Sequence, residues 1–268
     1  MILAPSLFDG VLGGDVQWDY VVLLCDFEGT DGDTTYTEVS SNAAIGTFSG
    51  TGLEISDEQS HYGNTSLKLT GSGVQYVWFP WNADFGPLNQ YNWTVELWFY
   101  PTSIGTVKTL MGSAVSSSIR GWELIMLTDG TVRWAHNKNG SNLQTITSTG
   151  TATANAWNHV ALSWYSPRIT TDVNRHDGRL FLNGTEEAGW DDDTAGVYYP
   201  SANALRVGGE ATTGSRTFVG YIDGVRITKG TVVADHMGSG VRYPATSTPG
   251  ESDFTPATDA WPIGPLGG

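Results

Sequence analysis

The chain is short of charge, of cysteine and of basic residues, and each shortage removes a class of protein. Charged residues make up only 15% of its 268 positions while 12% are aromatic, and disorder needs the opposite balance, so most of the chain folds. No stretch is rich in Ala, Glu, Lys, Leu and Arg with a sustained helical repeat, which removes coiled coils and helical bundles. Cys25 is the only cysteine, so an intramolecular disulfide and a cysteine-rich zinc site are both ruled out. It lies in the apolar run of residues 20–27 and reads as a buried small hydrophobe, not a nucleophile. No apolar run approaches the roughly 18 residues of a membrane span.

Basic residues are the scarcest resource. Lys and Arg total 13 against 28 Asp and Glu, a net charge of −15, and none precedes Lys68. Nucleic acid and anionic membrane surfaces are held by Lys/Arg clusters, so neither is expected as a partner. A basic protein surface, a cation or a neutral glycan stays open. The opening MILAPSLFDGVLGG has no basic region and carries Asp9, so no secretory signal is expected. The N-x-S/T triplets at Asn64, Asn92, Asn139 and Asn183 then read as chance. Several catalytic signatures are missing too: no G-x-S-x-G, no H-E-x-x-H and no Gly-rich loop followed by Lys.

What is present is period two, the repeat of a strand with one buried face. In NWTVELWFY (92–100), Trp93, Val95, Leu97 and Phe99 alternate with Thr94, Glu96, Trp98 and Tyr100. In WNHVALSW (157–164), Val160, Leu162 and Trp164 oppose Trp157, His159, Ala161 and Ser163. Further strands are expected at 20–27, 65–70, 74–79, 122–128, 131–136, 143–147, 179–182, 205–208 and 217–228. Asp129-Gly130 and Asn183-Gly184 mark tight hairpins, because both dipeptides tolerate positive φ. The best helix candidate is a turn or two at 232–237. Many short strands with polar turns predict an all-β sandwich or barrel. Residues 1–19 read as an arm, and 231–252, rich in Gly, Ser, Thr and Pro, as an inserted loop.

Candidate chemistry is sparse. Trp122, Trp134 and His136, on the hairpin GWELIMLTDGTVRWAHN, are nominated as a sugar-contacting set, with core filling as the competing reading. His159 reads as a core or sheet-face histidine. Asp26 and Glu28 sit in the acidic cluster DFEGTDGD, whose spacing fails an EF-hand loop. Asp223 shares parity with Val225 and Ile227, which points it at an apolar face unless a bulge intervenes. A buried carboxylate must be hydrogen-bonded, paired or metal-bound. Two readings follow: bonds to a neighbouring turn, or a structural calcium ion held by Asp26, Glu28 and Asp223. Glu186, Glu187 and 191–193 read as a solvated acidic loop. Glu54 and Glu58 are the nearest thing to a hydrolase carboxylate pair, and Asp57 falls on the opposite face.

Several strings together resemble one family. SLKLTGSGVQYVWF, NWTVELWFYPTS, AWNHVALSW, GRLFLNGTEE, FVGYIDGVRITKG and DFTPATDAWP follow the order of strands in laminin-G-like, concanavalin-A-like jelly rolls. The wording YIDGVRITKG with FTPATDAWP is similar to such domains in bacteriophage virion proteins, in tails and capsid decorations. Gly224 departs from the acidic residue usual after Asp223, and some twenty residues are inserted after Gly230. The resemblance implies a two-sheet antiparallel jelly-roll sandwich over 20–262, with a C-terminal tail at 263–268. It implies binding and not catalysis: a virion structural or attachment protein that contacts other virion proteins, forms homo-oligomers and takes a host-surface glycan as ligand. A free-standing lectin or adhesin is the alternative, and a glycoside hydrolase the more distant one.

Overall fold

In a computed structural model, residues 18–86, 91–113, 121–138, 142–165, 176–192, 203–211, 214–231 and 256 are described. The alternating stretches form strands. One eight-stranded antiparallel sheet runs in the order β14 (Thr185–Asp192), β13 (His176–Leu182), β12 (Asn158–Tyr165), β7 (Tyr91–Pro101), β16 (Gly220–Thr231), β5 (Ser66–Leu69) and β4 (Glu54–Ser56), with β1 (Val21–Cys25) also on β16. The second, also of eight strands, runs β11 (Asn142–Thr151), β10 (Thr131–Lys138), β9 (Trp122–Met126), β8 (Lys108–Gly112), β15 (Leu205–Val207), β6 (Tyr76–Phe79), β3 (Ile45–Ser49) and β2 (Thr35–Thr37). The chain is therefore the expected jelly-roll sandwich. Among the described residues no helix is long and apolar enough to cross a membrane.

The inner faces follow the sequence parity. Trp93, Val95, Leu97 and Phe99 of β7 meet Trp122, Leu124 and Met126 of β9, and Val132 and Trp134 of β10, in one core. Each large side chain buried there stabilises the fold by roughly 1.5–3 kcal/mol before chain entropy is counted. Cys25 belongs to this core, and burial pushes its thiol well above the ordinary range. A short 3-10 turn, Ala83–Phe85, caps two indoles: Trp93 Nε1 donates to the Asp84 carbonyl (3.3 Å) and Trp122 Nε1 to the Phe85 carbonyl (3.0 Å).

Both hairpin dipeptides do what their chemistry requires. Asn183 and Gly184 take φ of 52° and 86° between β13 and β14, and Gly130 takes 87° between β9 and β10. Five strands do not show in the sequence pattern: β2, β3, β4, β8 and β14. The first four contain only three to five residues, too few to display a period, and β14 (TEEAGWDD) is masked by its acids. Of the acidic loop expected at Glu186, Glu187 and 191–193, all but residue 193, which lies outside the described residues, is thus strand. Glu186 pairs with Arg179 Nε at 3.3 Å, and Glu187 Oε2 accepts from the amides of Thr149 and Gly150, tying the edges of the two sheets together. On the other side, Ile55 of β4 exchanges backbone bonds with Gly32 and Asp33, which covers that edge. The helix candidate at 232–237, almost all of the arm and nearly all of the insertion lie outside the described residues.

Candidate functional site: the outer face of the second sheet

The residues nominated for sugar contact do come together, but inside the sandwich. Trp122, Trp134 and His136 are each 0% exposed. Trp122 stacks on Trp134 (centroids 5.1 Å apart), and Trp134 Nε1 donates to His136 Nδ1 at 2.9 Å. The three share a face, as their parity requires, but it is the inward one, so none offers a ring to a ligand. Sequence parity separates two faces without saying which is wet.

The nominated metal set fails on chemistry. A bulge in β16 shifts the register between Asp223 and Arg226, so Asp223 opposes Trp98 and leaves the face of Val225. Gly224, at φ 54°, makes the kink. Asp223 Oδ2 accepts from the amides of His61 (2.8 Å) and Tyr62 (2.9 Å), and Oδ1 from that of Gly224 (2.7 Å). Amide protons converging on both oxygens favour an anion and repel a cation placed there. Burial raises this carboxyl to about 7 against those three donors, and the charge of Glu28 adds to the rise. Glu28 grips the same loop, accepting from Asn64 N at 3.0 Å, while Asp26 Oδ1 accepts from the Tyr36 hydroxyl at 2.8 Å. Asp26, Glu28 and Asp223 therefore hold turns, and the residues do not fit calcium. Among the described residues no group of three or more His, Cys, Asp or Glu could hold a metal.

The carboxylates of 54–58 have partners as well. Glu54 and Glu58 share the Lys68 ammonium, and Tyr221 donates its hydroxyl to Glu58 at 2.6 Å. The Lys68 bond, then that of Tyr221, holds Glu58 below the usual carboxylate range, the wrong direction for a general acid. His159 Nε2 lies 3.2 Å from Glu96 Oε2, both buried on the outer side of the first sheet.

The outer face of the second sheet carries the groups that suit a ligand. Cross-strand partners share a face, and the register traces one row across all eight strands: Thr35, Thr47, Trp78, Arg206, Gly112, Glu123, Ala135 and Thr145. Trp78 and Tyr76 are half-buried on this face. The Arg206 guanidinium stands 5.4 Å from the centre of the Tyr76 ring, within cation–π range. At the same end of the sheet Ile45 is 66% and Trp81 52% exposed. Further along the row, Arg216 bridges Glu123 (2.8 Å) and Glu210 (3.0 Å). The site is a strip of aromatic faces beside a guanidinium, flanked by threonine hydroxyls. Sequence reasoning places the strand at 74–79 but passes over Tyr76 and Trp78. The available signal is an alternation with aromatics at both parities, Val77 and Phe79 inward and Tyr76 and Trp78 outward.

Comparison with known proteins agrees with this architecture. A laminin G family model described as the concanavalin A-like lectin/glucanases superfamily matches residues 55–236. No curated protein sequence matches the chain. Among solved structures, domain 4 of the extracellular arabinanase AbnA from Geobacillus stearothermophilus, in complex with arabinotriose, is similar over 80% of this chain and 94% of its own, at 18% identity and TM-score 0.56. The binding domain of Paraclostridial Mosquitocidal Protein 1 (15% identity, TM-score 0.59) and that of botulinum neurotoxin serotype D (13%, 0.58) match 81% and 82% of this chain. The chain spans 51% of each of those two binding domains.

Proposed function

This chain belongs to the concanavalin A-like lectin/glucanases superfamily, and on that footing we propose that it is a non-catalytic attachment module that binds an oligosaccharide on the outer face of its second sheet. The observation that carries the reading is the placement of Trp78 between Thr47 and Arg206, with Tyr76 beside them. A flat ring stacks against the C–H face of a pyranose or furanose, while a guanidinium and hydroxyls supply the few directed polar contacts that fix orientation. The solved structures of similar fold support this class of ligand: the arabinanase domain was determined with arabinotriose, and a botulinum serotype D domain with N-acetylneuraminic acid. Glycoside hydrolysis needs two free carboxylates flanking one bond, whereas here Glu54 and Glu58 share Lys68, and Glu123 and Glu210 share Arg216.

The strings FVGYIDGVRITKG and DFTPATDAWP support a narrower assignment, to a capsid decoration or tail component of a bacteriophage virion. The purified chain is tested on an array of neutral and sialylated glycans beside Trp78→Ala and Arg206→Ala. Binding by the parent chain, weakened at least about tenfold in both variants, is expected, a loss of roughly 1.4 kcal/mol or more. Silence of the parent chain across the array overturns the glycan reading. Mass spectrometry of purified particles tests the virion assignment separately, and absence of the chain from them overturns it.

A further inference from the structure

On the outer side of the first sheet, Glu96, His159 and Arg226 are fully buried, but one end of that face meets solvent. Phe99, Ile222, Leu67 and Ile55 point into the core, so their strand neighbours Tyr100, Tyr221, Lys68 and Glu54 point outward. The register sets these four side by side on β7, β16, β5 and β4. Trp157 extends the row past Tyr100, at 5.6 Å between ring centres. All five are part-exposed. The row lies on the opposite side of the sandwich from Trp78.

Its rings stand edge-on to one another. Trp157 and Tyr100 are inclined at 66°, and Tyr100 and Tyr221 at 77° with centres 5.9 Å apart. Such rings present notches between their faces and no flat platform. Carboxylates close the row at its other end. The Tyr221 hydroxyl donates to Glu58 at 2.6 Å, and Lys68 serves both Glu54 and Glu58, so one ammonium answers two carboxylates. Beside them the Asp57 amide donates to the Asp31 carboxylate at 3.3 Å, with both residues exposed. No basic residue precedes Lys68 in the chain, and this corner carries an excess of negative charge.

We propose that this row docks a partner protein through an arginine of that partner, its guanidinium lying against the Tyr221 ring and reaching the Glu58 carboxylate. A guanidinium is planar and weakly hydrated, stacks on aromatic faces and bonds carboxylates through a fork of donors. The Glu58 oxygens keep lone pairs beyond those used by Tyr221 and Lys68. The same observations disfavour other occupants. Edge-on rings deny a sugar the broad face it stacks on. A second copy of a chain of net charge −15 would set acids against acids, and nucleic acid or an anionic membrane meets the same repulsion. The docking does not depend on glycan binding. A module held to its partner by this face leaves the Trp78 strip, on the other side, turned outward.

The test is fluorine NMR of the full chain carrying fluorotryptophan, titrated with a capped glycine peptide that holds two arginines. The Trp157 signal is expected to shift while that of Trp78 stays in place, and the same peptide with glutamate in place of arginine is expected to move neither. Tyr221→Ala and Glu58→Gln are each expected to weaken the arginine peptide by about threefold, the size of an exposed cation–π contact. The Glu58 side chain is 52% exposed, so Glu58→Gln decides the matter should Tyr221→Ala not fold. A Trp157 signal that ignores the arginine peptide, that follows the glutamate peptide equally, or that responds as strongly in both variants as in the parent chain overturns the inference. A shift of the same signal with arabinotriose, or on concentrating the chain alone, assigns the row to a glycan or to a second copy and overturns it too.

Discussion

The indole of Trp190 lies across Gly178, its partner on the neighbouring strand, in the space a side chain there would need. A Cβ built on Gly178 would stand 1.9 Å from Trp190 Cη2. Trp190 also packs edge-on against Trp164 at 5.4 Å between centroids, so the ring has little room to retreat. Gly178→Ala is expected to destabilise the fold by about 3 kcal/mol, at the upper end of overpacking costs. Urea denaturation measures it, and a midpoint equal to that of the parent chain would show that the ring moves freely.

Glu38 is a buried carboxylate held by backbone amides and a hydroxyl. It accepts from Leu24 N, Ser40 N, Ser40 Oγ and Ala44 N at 2.7–3.1 Å, holding the turn before β3 against β1. Glu38→Ala strands four donors at once and is expected to cost about 3 kcal/mol or more. Glu38→Gln, which keeps acceptor capacity, is expected to cost less. Equal losses in the two variants would contradict the hydrogen-bonding account.

Asp223 makes stability depend on pH in a definite direction. Its carboxyl is raised from 3.8 to about 7, chiefly by burial, so the native state holds the proton more tightly than the unfolded chain. The stabilisation is full below about pH 4 and is lost as pH rises through about 7. The melting temperature of the parent chain is expected to fall between about pH 5 and 8, and that of Asp223→Asn to fall less. A slope of opposite sign traced to Asp223 would mean that its three amide donors outweigh burial.

Trp78 and Trp122 separate binding from folding. Trp122→Ala removes a fully buried ring and is expected to cost about 4 kcal/mol. Trp78→Ala, on the outer face, is expected to shift stability by less than about 1 kcal/mol while removing glycan retention on an affinity column. Retention lost in Trp122→Ala protein that remains folded would restore the core hairpin as a binding element.

Much of the fold is legible because alternation and Asn-Gly or Asp-Gly turns act within a few residues. Trp93, Val95, Leu97 and Phe99 fall on the buried side as their spacing requires. The strands that escape notice, such as β2 and β4 at three residues each, owe their existence to long-range neighbours and not to local pattern. The site is less legible for a related reason. Trp134 and Trp78 are both tryptophans on alternating strands, and nothing local tells that one faces the core and the other the solvent.

By itself the sequence determined the layer architecture, the hairpins, the inert cysteine and the shortage of basic groups, since all of these follow from composition and from periods two residues long. The tertiary structure alone decided that Asp223 serves a turn instead of a cation, because a one-residue bulge at Gly224 reverses its face. It alone assembled the Thr47–Trp78–Arg206 strip, because a cross-strand row joins residues whose separation along the chain carries no local signal.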